Sequence, residues 1–198
     1  MVEHESTSNP RDEHRAIAGR FTALVVATPA EAWDDPSPVP EWRARDVVAH
    51  LVDWLPAFLD AGAGVRLPPG PSVDDDPVGA WEVHCAGVQA LLDDPTCHDR
   101  LLTNPHIGEL PLDDAIDRFY TSDVFLHTWD LARATGQEPA LDPVRCAAML
   151  AGMEPMDDLL RSSGQYGPRV AVAPDADPES RLVAFIGRDP AWTPRSGR

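Results

Sequence analysis

Apolar residues recur along the chain at helical spacing, in blocks separated by stretches rich in proline, glycine and acid. The spacing predicts a first helix over 11–28, RDEHRAIAGRFTALVVAT, ended by Pro29. Beyond the loop PAEAWDDPSPVPEW, a second helix is predicted over 44–61, where Val47, Val48, Leu51, Trp54, Leu55 and Phe58 share one arc of about 100°. Asp76 as N-cap and Pro77 at the first helical position predict a third helix to Asp94, with Trp81, Cys85, Val88, Leu91 and Leu92 inward. A fourth runs from around Asp114 to Thr135 and stops at Gly136. A fifth segment, 142–162, carries Pro155, which predicts a kink or a break. Near the end, Asp177 and Pro178 open a short helix that Gly187 closes, and RVAVA (169–173) is a candidate extended segment.

Long amphipathic helices without a convincing series of strands predict an all-α helical bundle, in which sites are built from side chains on facing helices. A length of 198 residues suits one domain, expected over 11–198 after a flexible stretch at 1–10. The longest apolar runs fall far short of a membrane span, and the acidic start MVEHESTSNPRDEH has no secretory pattern. A cytoplasmic protein is therefore expected, with no membrane partner.

Charge narrows the function. The net charge is −17 and no basic cluster offsets it, so nucleic acid is not an expected partner. All 16 basic residues are arginine, which excludes Schiff-base chemistry and a phosphate-loop lysine. Cys85, Cys97 and Cys146 are odd in number and widely spaced, so they read as buried or free thiols and not as a disulfide framework or zinc knuckle. No nucleophile-elbow pattern is present.

The candidate chemistry lies in the fourth helix. Leu112, Ile116, Phe119, Tyr120, Leu131 and Ala134 project to one side, and Asp123, His127 and Asp130 fall at the centre of that stripe. A carboxylate in a core needs a partner or a water-filled cavity, because burying it alone costs several kcal/mol. Asp123 and His127 are one turn apart on one face, as joint ligands of a cation require. His50, at the edge of the second helix's apolar arc, can complete a two-histidine, one-carboxylate set suited to a divalent transition metal. Asp130 is then expected to orient a ligand. His84 is a reserve ligand with burial as its simpler role, and His4, His14, His98 and His106 read as solvated. The same residues also admit a purely structural reading. In it Asp123 caps or pairs with an arginine, His127 bonds a carbonyl, and Asp130 pairs with Arg133 on a wet face.

EWRARDVVAHLVDW (41–54) and DVFLHTWDLARATGQ (123–137) resemble the two motif blocks of the mycothiol-dependent maleylpyruvate isomerase N-terminal domain group, in the DinB/YfiT-like superfamily. YGPRVAVAPDADPESRLVAFIGRDPAW (166–192) is similar to the ending of an actinobacterial metal-binding subfamily of that group. The resemblance implies a DinB-like four-helix bundle with extra C-terminal helical segments. It further implies a divalent metal, zinc or nickel, with His50, Asp123 and His127 as ligands. Aspartate stands at position 123 where the isomerase pattern has glutamate, and a substantial separate C-terminal domain of the isomerase kind is not expected, so the resemblance implies the metal site and a link to low-molecular-weight thiols more firmly than the maleylpyruvate activity itself. The expected function is a mycothiol-dependent transferase or isomerase acting on a small electrophile. A non-catalytic metal-binding stress or interaction protein and a metal-dependent hydrolase are the alternatives. The implied partners are a small-molecule thiol and an electrophilic substrate, with a homodimer left open.

Overall fold

The computed structural model describes residues 9–162, 164 and 166–194. Helix α1 (Pro10–Ala27) starts where Asn9 Oδ1 accepts from the Arg11 amide at 3.0 Å, with Pro10 in the first turn. Of the stretch expected to be flexible, residues 1–8, His4 among them, lie outside the described residues. Helix α2 (Ala44–Ala63) opens with the Arg43 amide donating to Asp46 Oδ2 at 2.8 Å and ends at Gly64, whose φ of +64° supplies the left-handed cap. Helix α3 (Pro77–Asp93) has the expected Asp76 cap, which accepts from the Gly79 amide at 2.9 Å.

The sequence pattern gives no sign of the next element, an antiparallel hairpin of β1 (Leu101–Asn104) and β2 (Gly108–Pro111) in which Leu102 pairs with Leu110. Each strand has four residues, too few for an alternating pattern to register. Leu102 is its buried anchor and packs against α2 at Gly62, where a Cβ would lie 2.8 Å from Leu102 Cγ.

Residues 112–134 are helical throughout, in three parts. Helix α4 (Leu112–Ala115) passes into a π-helical segment (Ile116–Thr121), which passes into α5 (Ser122–Ala134). In the wide segment the Ser122 amide reaches back five residues to the Asp117 carbonyl. Beyond Gly136 lie α6 (Pro143–Met153), a 3₁₀ turn (Glu154–Met156) containing Pro155, and α7 (Asp157–Ser162). Proline therefore breaks the fifth helical segment at the predicted position. Helix α8 (Pro178–Phe185) is capped by Asp177. RVAVA (169–173) forms no strand: a single ladder-like bond, Val170 N–H to the Ala184 carbonyl at 2.9 Å, ties it to α8.

The fold is the expected all-α, DinB-like bundle. Helix α1 packs on α3 and α5, α2 packs on the same pair from its own side, and α6 packs on α8. Phe21, Leu51, Leu55, Trp81, Ile116 and Leu131 fill the centre, each side chain contributing about 1.5–3 kcal/mol by leaving water. Phe21 and Trp81 meet at 4.5 Å between ring centres, and the Trp81 indole donates to Thr22 Oγ1 at 2.8 Å, locking α3 to α1. Among the described residues no helix is long and apolar enough to cross a membrane.

His14 corrects an expectation. It is fully buried, with Nδ1 2.9 Å from Gln89 Oε1. Its position follows from the stripe it belongs to, because Ile17, Ala18, Phe21, Leu24 and Val25 recur from it at helical spacing and are buried with it.

Candidate functional site

Helix α5 is buried on nearly every side, since α1 and α2 cover it and the segment after α8 closes over it through Arg188 and Pro190. Its polar residues therefore meet protein. Asp123 and His127 are one turn apart and face α2, where His50 lies opposite. His50 Nε2 stands 3.0 Å from Asp123 Oδ2, and His127 Nε2 stands 3.5 Å from Asp123 Oδ1. The three donor atoms lie within 4.8 Å of one another. The two imidazoles meet edge to face at 4.8 Å, and Trp42 packs against both, at 5.1 Å from His50 and 5.8 Å from His127. His50 and Asp123 keep about a third and a quarter of their side-chain surface, so the cluster opens to solvent on the α2 side, while His127 and Asp130 are sealed.

Asp130 does not pair with Arg133 on a wet face. It is fully buried, and its Oδ2 accepts from His127 Nδ1 at 2.9 Å. Arg188 grips both oxygens, Nε to Oδ1 at 3.1 Å and Nη2 to Oδ2 at 3.0 Å. Arg133 instead lies over the Trp129 ring and donates to the Pro190 carbonyl. An ionised carboxylate accepts only, so His127 Nδ1 carries its proton toward Asp130 and Nε2 faces Asp123.

The electrostatics follow from this chain of contacts. Burial works to raise the Asp123 pKa, but the neighbouring His127 and the hydrogen bonds from His50 and Trp54 outweigh it and hold the carboxyl below its ordinary value. Asp130 is held low in the same way, with Arg188 and His127 overcoming burial. His127 is pushed up, because Asp123 and Asp130 outweigh its burial and the opposing charge of Arg188. With Nδ1 committed to Asp130, a neutral His127 would aim its Nε2 lone pair at an anionic oxygen, so a proton or a cation belongs between them.

The donor set also fits a divalent ion. One donor atom from each residue lies within 4.8 Å of the other two, a group that could hold a metal ion, with the two histidine nitrogens approaching different oxygens of Asp123. Histidine nitrogen and carboxylate oxygen are the ligand types that zinc and its neighbours accept.

Sequence reasoning placed Trp54 in the core without assigning it a polar role. Its indole N–H donates to Asp123 Oδ2 at 3.0 Å, fixing the carboxylate from α2. Arg188 was also missed, and no local pattern marks it.

His84 stays away from this cluster. It is buried beside Trp81 and Tyr120, 6.4 and 5.5 Å between ring centres. A second group of donors, His98, Asp113 and Asp114, lies at the foot of the hairpin. There an exposed His98 Nδ1 is already shared between the Asp113 oxygens at 3.0 and 3.1 Å, an ordinary surface ion pair. His106 is exposed as expected.

Two proteins of Mycobacterium tuberculosis are similar to this chain: Uncharacterized protein MT0763 of strain CDC 1551 and Uncharacterized protein Rv0738 of strain H37Rv. Each is 28% identical over 182 residues, covering 91% of this chain and 98% of the relative. No solved structure matches. The family model described as the mycothiol maleylpyruvate isomerase N-terminal domain matches residues 14–132, from the first turns of α1 to the last of α5, a span that holds His50, Asp123, His127 and Asp130 but not Arg188. With more than half of its length matched, the chain belongs to the mycothiol maleylpyruvate isomerase N-terminal domain family.

Proposed function

We propose that this protein binds a divalent metal, zinc or nickel, through His50, Asp123 and His127, and uses mycothiol in a transfer or isomerisation reaction on a small electrophile. One observation carries the metal reading: His127 Nδ1 is committed to a buried carboxylate, so its Nε2 is turned toward the Asp123 carboxylate and His50, where the three donors gather. A divalent ion held there would supply Lewis-acid chemistry that favours the thiolate form of an incoming thiol. The chain's own residues do the holding. Asp130 and Trp54 fix the rings and the carboxylate, Trp42 walls the cluster, and the partly exposed side at His50 leaves an approach for a small molecule.

The protein's own thiols support an external one. Burial pushes Cys97 up to about 11 and Cys146 up to about 12, and it raises Cys85 as well, so none of them supplies a thiolate at neutral pH. Raised cysteines favour a nucleophile that comes from solution in a thiol-dependent reaction. The family's mycothiol chemistry matches that requirement.

The test is elemental analysis of untagged protein, followed by thiol titration of a cobalt-loaded sample. The expected result is near-stoichiometric metal and a sulfur-to-metal absorption band on adding mycothiol. Turnover of a panel of electrophiles that needs both metal and thiol establishes the enzyme. Metal without thiol response leaves the non-catalytic protein or the hydrolase, which turnover without thiol separates.

A further inference from the structure

We infer that Arg188, from the segment that follows α8, is the positioning residue that presets His127 as a ligand by fixing Asp130; this rests on the metal reading above. Asp130 Oδ2 is shared, with Arg188 Nη2 at 3.0 Å and His127 Nδ1 at 2.9 Å, while Arg188 Nε holds the other oxygen at 3.1 Å. A carboxylate held only by the imidazole would be free to turn about its last bond. The planar guanidinium fork sets the plane of the carboxylate, and that plane sets the direction from which the imidazole N–H is received. The ring is thereby fixed in both tautomer and orientation, with Nε2 toward Asp123.

Arg188 is itself fixed by backbone. Its amide donates to the Val183 carbonyl at 2.9 Å, capping α8. The preceding Gly187, at φ +91°, lies so close to Gly167 that a Cβ would come within 2.8 Å of the Gly167 Cα. The guanidinium is mostly buried, at 12% side-chain exposure. This element lies outside the family match at 14–132, so the C-terminal segment contributes to a site whose other parts all fall within the match.

Arg188→Lys separates positioning from mere neutralisation, because lysine keeps the charge and loses the fork. In metal-free protein, above the pH at which His127 gives up its Nε2 proton, nitrogen-15 NMR of the histidine rings reads the tautomer. Wild type should show His127 protonated at Nδ1, and Arg188→Lys should show a mixture. Zinc affinity, measured by competition with a chromophoric chelator, should fall about 10–100-fold, the usual cost of losing an outer partner of a ligand. If Arg188→Lys does not fold, Gly187→Ala, which crowds Gly167 beside Arg188 and leaves Asp130 and every charge in place, replaces it, with the same loss expected. Unchanged tautomer and affinity in a folded variant overturn the inference. Absence of zinc binding by wild type would defeat the metal reading instead, and the tautomer measurement would still decide the role of Arg188.

Discussion

Asp130 and Arg188, 58 residues apart in the chain, face each other through two hydrogen bonds of 3.0 and 3.1 Å, and the same carboxylate receives His127 Nδ1. The consequence is a line of contacts, guanidinium to carboxylate to imidazole, that ends at a nitrogen turned toward Asp123. Taking both charges of such a pair out of water is costly, and removing one alone costs about 3–5 kcal/mol. Its position beside His127 is what the inferred positioning role of Arg188 rests on.

Asp123 is the residue where the chain departs from the isomerase pattern. Asp123→Asn should weaken zinc binding by more than the roughly 10–100-fold that an outer partner costs, because it removes a ligand's charge. Asp123→Glu should retain binding with altered geometry. Calorimetric titration of metal-free protein measures both, and an unchanged affinity in the asparagine variant takes Asp123 out of the ligand set.

Stability should depend on pH through His84, whose pKa burial pushes down from 6.5 to about 4. The folded state keeps this ring neutral, so its contribution is present above 6.5 and is lost as pH falls from there toward 4. The loss is at most about 3 kcal/mol at 1.36 kcal/mol per unit. His14, also lowered by burial, acts in the same direction, whereas Asp117, raised by burial to about 6, acts oppositely below that pH. The difference between wild type and His84→Phe therefore isolates the effect. Urea denaturation across this range, with chelator present, should give a wild-type slope that the variant reduces, and parallel profiles would refute the assignment.

Local signals made most of this fold legible. Asp76 and Pro77 announce α3 because capping is a matter of adjacent residues, and the spacing of Asp123 and His127 shows that they share a helix face. His14 belongs to the α1 stripe, and its place near the terminus is what makes it look solvated in the sequence. The hairpin was hidden because only Leu102 of its first strand is buried. Trp54 was correctly placed facing inward, yet a helical wheel gives a direction and no partner atom, so its bond to Asp123 could not be read. Arg188 was beyond reach for a different reason: its meeting with Asp130 depends on how the chain returns after α8, which no periodicity encodes.

The cysteines should resist alkylation in the folded protein. Burial holds Cys97 at about 11 and Cys146 at about 12, and Cys85 is raised by the same cause, so little thiolate exists at neutral pH. Iodoacetamide labelling followed by intact mass should show all three modified in denaturant and slow modification in buffer. Native labelling as fast as that of a free small thiol would show that the protein carries its own nucleophile, which would remove one support for an external thiol.

Gly187→Ala offers a way to move Arg188 without changing any charge near the site. The φ of +91° at Gly187 costs an L-residue about 1–2 kcal/mol, and its new Cβ would stand 2.8 Å from the Gly167 Cα, a backbone atom that cannot swing aside. Relief requires the two segments to part, and Arg188 is the next residue along the chain that moves. The expected outcome is a lower melting temperature together with a fall in zinc affinity of about tenfold or more, as for loss of a ligand's outer partner. The control is Gly19→Ala on α1, where a Cβ meets nothing within 4 Å, which should leave metal affinity unchanged. If Gly187→Ala lowers stability and leaves zinc affinity at the wild-type value, the C-terminal segment acts as a structural cover and has no part in holding His127.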